Sequence, residues 1–225
     1  MTVVRVILSA TSFAEARDAL ALATEIAAEM NGDLQGLLIE QEAVVTLTRL
    51  PAARLIGSHG RALGGIDPAG MAAAFRGDAR RFEAELARAA EAAALRWSFR
   101  HKRGQVGEIL EEMLQAGTLL VACGAPRRAP LREVVLVLGA DGDMALARLA
   151  AAQAARIGRP LRLLLPPGAE PPPDLAPTVI ERFADEPALR ARIAALDPRS
   201  LLFAEAGSLA KIAQEARCTC ILRVP

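Results

Sequence analysis

Tyrosine is absent from the 225 residues, tryptophan occurs once, and aromatic side chains make up 3% of the chain. So thin an aromatic supply argues against the stacking surfaces on which carbohydrate or single-stranded nucleic acid is read. There are two histidines, His59 and His101, and three cysteines. That is too few for a disulfide framework, and a lone Cys218-x-Cys220 beside so little histidine makes a poor metal set. The two thiols, two apart in an expected strand, share one face and are expected to be buried and reduced, with no metal. No charge of one sign prevails: 27 basic against 26 acidic groups leave +1, which gives no signal for nucleic acid or for a polybasic membrane contact. No apolar run approaches the ~18 residues of a bilayer span. The run after Arg5, Val6-Ile7-Leu8, is too short for a signal peptide. The expectation is a cytoplasmic protein with neither nucleic acid nor membrane as partner.

What the chain does have is 52% apolar residues, arranged in alternating strand and helix patterns. Val3–Leu8 is a β-branched run that stops at Ser9-Ala10-Thr11-Ser12. Ser12 and Glu15 have capping-box spacing. Apolar positions from Ala16 to Met30 form one helix stripe, which Asn31-Gly32 ends. Leu34–Ile39 is the next strand, completing a βαβ unit. Residues 41–66 are less regular and rich in glycine, with His59 among the glycines; they read as a lid-like excursion holding one short helical turn. Asp67-Pro68 opens a long helix to about Leu95. Arg96–His101 alternates as a half-exposed strand, with Trp97 and Phe99 on one face as core or dimer contacts. Gln105–Gln115 is a helix, and Thr118–Cys123 a buried strand.

Residues 124–130, Gly-Ala-Pro-Arg-Arg-Ala-Pro, break the pattern, which then restarts. Val134–Leu138 is a strand, 139–143 a turn, Met144–Ile157 a helix closed by Gly158, and Leu161–Leu165 a strand. After the proline-rich stretch 166–177 come a strand at Thr178–Phe183, a helix opened by Asp185, a strand at Ser200–Ala204, a helix capped by Ser208, and a final strand at Cys218–Val224. This predicts an α/β fold of two tandem Rossmann-like units, 1–128 and 129–225, with parallel sheets covered by helices. The first unit carries 41–95 as an insert and lacks a closing helix and strand. Charge divides evenly, 15 basic and 15 acidic groups before residue 129 against 12 and 11 after it.

Four stretches in this order, Val3–Ile39, Phe99–Gly124, Val134–Leu165 and Gly207–Pro225, resemble the universal stress protein family in tandem form. The resemblance implies, for each unit, a five-stranded parallel sheet of the adenine nucleotide alpha hydrolase type. In nucleotide-binding members an Asp after the first strand meets adenine, and a glycine-rich loop after the fourth wraps the phosphates. Thr11 stands where the first unit would have that Asp. Gly124 begins its loop, but prolines and Arg127-Arg128 replace the glycines, and a proline has no N–H to donate. The second unit keeps Asp141-Gly142, but its loop has shrunk to Glu205-Ala206-Gly207-Ser208, where Glu205 repels phosphate.

The candidate ligand residues are therefore Thr11, Gly124, Arg127, Arg128, Asp141, Gly207 and Ser208. Arg127 and Arg128 are suited to an anion, and Gly207-Ser208 to an anion niche or an ordinary helix cap. Glu111-Glu112 and Glu83/Glu85 read as solvated helix faces, and His59 as a loop histidine without a nucleophile beside it. The leading expectation is a non-enzymatic stress-response or regulatory protein without a firm cofactor, acting as a homodimer and through a protein partner. The missing fifth strand would leave a bare sheet edge, which either the second half of the chain or a symmetric partner is expected to cover, and the homodimer expectation follows from it. The alternative is a sensor of ATP or AMP with a composite site made by Asp141 and Arg127/Arg128. A nucleotide or phosphoester hydrolase lacks a legible carboxylate cluster or activated nucleophile.

Overall fold

The computed structural model describes residues 4–48, 54–56, 62–65, 67–124, 129–139, 142–205 and 216–224. The elements are β1 (Arg5–Ala10), α1 (Phe13–Glu29), β2 (Asp33–Gln41), α2 (Glu42–Thr48), β3 (Arg54–Ile56), β4 (Ala62–Gly65), α3 (Pro68–Ala92), β5 (Trp97–Gly104), α4 (Val106–Met113) and β6 (Thr118–Ala122). They continue as β7 (Glu133–Val137), α5 (Met144–Ile157), β8 (Leu161–Leu165), β9 (Val179–Arg182), α6 (Glu186–Ala194), β10 (Ser200–Glu205) and β11 (Thr219–Arg223). Nine strands form one sheet in the order β5-β2-β1-β6-β11-β10-β7-β8-β9. The α/β class expected from the alternating pattern is what the molecule has.

Local chemistry accounts for the element ends. The Ser12 hydroxyl accepts from the Glu15 N–H at 3.3 Å, capping α1. The Glu15 carboxylate reaches back one residue further than a capping box requires, to the Thr11 N–H and hydroxyl, both at 2.8 Å. Asn31, with φ 48°, turns the chain left-handed after α1. The Gly32 N–H then donates to Ala27 O at 2.8 Å and the Asn31 N–H to Ala28 O at 3.2 Å, the Schellman pattern. The Asp67 carboxylate caps α3 by accepting from the Ala69 and Gly70 N–H groups at 3.0 and 2.9 Å. Gly158, at φ 61°, closes α5. The expected excursion at 41–66 is more ordered than its glycines suggest: it holds the helix α2, and β3 and β4 pair antiparallel as a separate ribbon. His59 lies outside the described residues.

Two apolar layers sandwich the sheet. On one face Val6 and Leu8 pack with α1, α3 and α5 through Ala23, Ile26, Phe82, Leu86 and Ala150. On the other, Ile7, Leu37 and Leu202 pack with α4 and α6 through Ile109, Leu110 and Ile193. Cys218, just before β11, and Cys220 within it both belong to this second layer. The neighbouring Cys218 and burial push the Cys220 thiol well above its usual range, so it stays neutral. Phe99 meets Phe82 edge-on, with ring centroids 5.4 Å apart, which makes it a core contact. Trp97, on the edge strand β5, is 36% exposed.

Within the nine-stranded sheet neighbouring strands are parallel with one exception. β5-β2-β1-β6 run one way, and β11-β10-β7-β8-β9 run together. At the seam β11 pairs antiparallel with β6, Cys220 opposite Ala122 and Leu222 opposite Leu120. The edge of β6 that the missing fifth strand leaves is thus covered within the chain. Of the two expected covers, the second half and a symmetric partner, it is the second half that lies against β6.

Candidate ligand-binding cleft

In open α/β sheets ligands sit beyond the carboxyl ends of the strands, where the strand order reverses. In the first half that point lies between β1 and β6, whose chain neighbours lead to opposite sides of the sheet. A cleft of about 720 Å³ opens there, within the usual range of roughly 300–1,000 Å³ for a small-molecule site. β1 supplies Ser9 and the turn after it Thr11, β2 ends at Gln41, and α4 brings its first turn from above. Ala216, from the segment leading into β11, closes one side.

The chemistry of the cleft is acidic. Glu15, Glu108 and Glu111 line it, with Thr11, Gln41 and Gln105, and no lysine, arginine or histidine does so among the described residues. Glu15 is fixed by its two bonds from Thr11. Glu108 stands in the first turn of α4, where Gln105 makes no side-chain cap. The charge at 108 offsets the positive end of the helix. Glu111 and its neighbour Glu112 have different fates. Glu112 turns to Lys102 at 2.7 Å, whose hydrogen bond and charge hold its carboxyl below the ordinary value. Glu111 faces the cleft.

Thr11, expected at the adenine position, does line this cleft, and so does Gly124. Gly124 also has a packing reason to be glycine. A Cβ there would stand 2.6 Å from the Cys218 carbonyl carbon and 2.7 Å from Arg217 O, so the backbones of the two halves touch where it sits. Arg127, Arg128, Asp141, Gly207 and Ser208 lie outside the described residues. Their flanks are informative nonetheless. Gly124 follows β6 and Gly139 follows β7, and these strands run in opposite directions. The carboxyl ends of the first-half strands therefore face one edge of the sheet and those of the second half the other. A five-residue strand spans about 17 Å.

At the second-half edge the polar groups at the end of β10 and the start of α5 are paired with one another. The Glu205 carboxylate, at the end of β10, accepts from the Asp143 N–H at 2.7 Å. Asp143 caps α5 by accepting from the Ala145 and Leu146 N–H groups at 2.9 and 3.1 Å. Arg223, at the end of β11, donates to Asp143 at 2.9 Å. Donors that a phosphate would use are held by carboxylates of the chain itself. Sequence reasoning placed Glu205 as a repelling charge but missed Asp143 and Arg223, and in the first half it missed Ser9, Gln41, Gln105 and Glu108. The available signal was position: each stands at a strand's carboxyl end or on the helix turn above one.

No protein-family model matches the chain, and no curated protein does. Among the solved structures that match, one is similar over nearly its full length. It is a universal stress protein from Archaeoglobus fulgidus DSM 4304, 12% identical, covering 98% of this chain and 96% of that one, with a TM-score of 0.43. Among the described residues no group of three or more His, Cys, Asp or Glu is placed to hold a metal ion, and no helix is long and apolar enough to cross a membrane.

Proposed function

We propose that this chain is a non-enzymatic binding protein of the universal-stress type, with its ligand site in the first-half cleft and no polyphosphate as ligand. The observation that carries the reading is the set of three carboxylates, Glu15, Glu108 and Glu111, on the cleft at the switch point. A triphosphate placed there meets three like charges. The second-half crevice supports the same reading, because Glu205 already takes the Asp143 N–H. Glu15, the carboxylate nearest the switch point, is held by Thr11, an arrangement that suits a fixed charge better than a proton shuttle. Regulatory action through a protein partner, or as a homodimer, remains part of the proposal, although the cleft needs no second copy to be complete.

The nucleotide-sensor reading, with Asp141 and Arg127/Arg128 in one site, is less well supported. The described residues flanking these segments stand at opposite edges of the sheet. Native mass spectrometry of the freshly purified protein, followed by thermal unfolding with and without ATP or AMP, tests the choice. The expected result is no retained nucleotide and an unchanged Tm. A retained adenine nucleotide, or a Tm that rises with ATP, overturns the proposal.

A further inference from the structure

We propose that the first-half cleft takes an elongated organic polycation, an aliphatic polyamine in chemical class; the inference rests on the cleft being the ligand site. Acidity alone does not make the case. The second observation is Ser9. Its side chain is on the α4 face of the sheet, with Ile7, and opens into the cleft. The residue is 5% exposed, and no protein group among the described residues takes the hydrogen bond of its hydroxyl. A hydroxyl that reaches the floor of a cleft from an otherwise buried residue, with no protein partner among the described residues, is what a ligand polar group can bond.

The distribution of the carboxylates selects the shape of the cation. Glu15 belongs to α1, whereas Glu108 and Glu111 are one helix turn apart on α4. They do not converge closely enough to hold one metal ion, which needs several oxygens within about 2.6 Å. Separated carboxylates on two elements instead suit a ligand whose positive charges are themselves separated. Ala10, Val106, Leu110 and Ala122 provide apolar wall between them, against which a methylene chain lies as a lysine stem does on a protein surface. Ser9 and Gln41 then accept from ammonium groups along the chain. The first turn of α4 would oppose a cation, and Glu108 is where that opposition is offset.

The probe is spermidine, titrated calorimetrically into the full chain at low and moderate salt. The expected result is saturable binding that weakens as salt rises. Affinity is expected to fall about tenfold in Glu108→Gln/Glu111→Gln, since each removed ion pair at an exposed site is worth up to about 1 kcal/mol. Glu83→Gln/Glu91→Gln makes the same change in net charge on the exposed face of α3 and is expected to leave affinity unchanged. Ser9→Ala weakens binding without altering its salt dependence. Each variant is checked for an unchanged thermal transition. Absence of saturable binding overturns the inference. So does an equal loss in both double variants, which would mean bulk attraction only, or displacement of spermidine by stoichiometric Mg2+. ATP separates this inference from the reading beneath it: binding of ATP overturns both, whereas binding of neither ATP nor spermidine overturns the polyamine alone.

Discussion

Asp143 serves two neighbours, and that makes it the most informative single residue in the second half. It caps α5 and receives Arg223. Asp143→Ala is expected to cost about 1–2 kcal/mol from the lost cap alone, whereas Asp143→Asn keeps the cap and gives up only the ion pair. Urea unfolding of the two variants separates these contributions. Gly124 offers a different test, because it lines the cleft and also touches the chain before β11. Gly124→Ala is expected to destabilise the ligand-free protein by about 1–3 kcal/mol, the usual cost of overpacking. An unchanged midpoint would leave Gly124 with a ligand role and no packing role. At this scale the sequence was only partly legible. Thr11 and Gly124 could be placed by their position after β1 and β6. Glu111 could not be told from Glu112, because adjacent residues of a helix point different ways and only the packing of α4 decides which meets Lys102.

Among the elements, β8, β9 and α6 are joined by a charged row. Arg162 bonds Glu133 at 3.0 Å and also Glu181, and Arg192 bonds Glu181 at 2.8 Å. The Ser200 hydroxyl donates to Glu133 at 3.0 Å. The hydrogen bond from Arg192 is the main reason the Glu181 carboxyl lies below its ordinary value, against some opposition from burial. Asp197, held by Arg199, is lowered more strongly. A carboxyl whose folded pKa is depressed adds stability that is present above its unfolded pKa of about 4 and disappears as pH falls toward the folded value. The urea midpoint is therefore expected to hold from pH 7 to about 5 and to fall below about 4. Glu181→Gln should lower the neutral-pH midpoint and flatten the acid decline. A decline of equal steepness in the variant would remove Glu181 from the account. Most elements of the main sheet were readable from period and caps, since Ser12, Asp67, Asp185 and Gly158 mark their ends by local chemistry. Between β2 and α3 a helical turn was readable but the β3–β4 ribbon was not, because glycines obscure periodicity there and tertiary contacts decide the outcome.

At the scale of the whole molecule, the seam between β6 and β11 decides the architecture. Sequence pattern revealed that a strand was missing from the first half, but not which strand would cover the edge. Strand pairing across about a hundred residues leaves no local signature. Residues 219–223 fill that place in the antiparallel sense. Deleting residues 216–225 uncovers the facing edges of β6 and β10 together, and bare apolar strand edges pair with other chains. Light scattering is expected to show the truncated protein at a higher association state than the full chain; equal masses would mean that the seam is not what keeps the edges apart.

The same seam bears on how the protein comes into being. β6 is made about a hundred residues before its neighbour β11. During that interval the first half carries its helices and its layered core but has a bare central strand. Translation thus has a vulnerable stage that the finished molecule does not reveal. A pause or premature stop after residue 205 leaves the sheet without β11, its edges at β6 and β10 bare together.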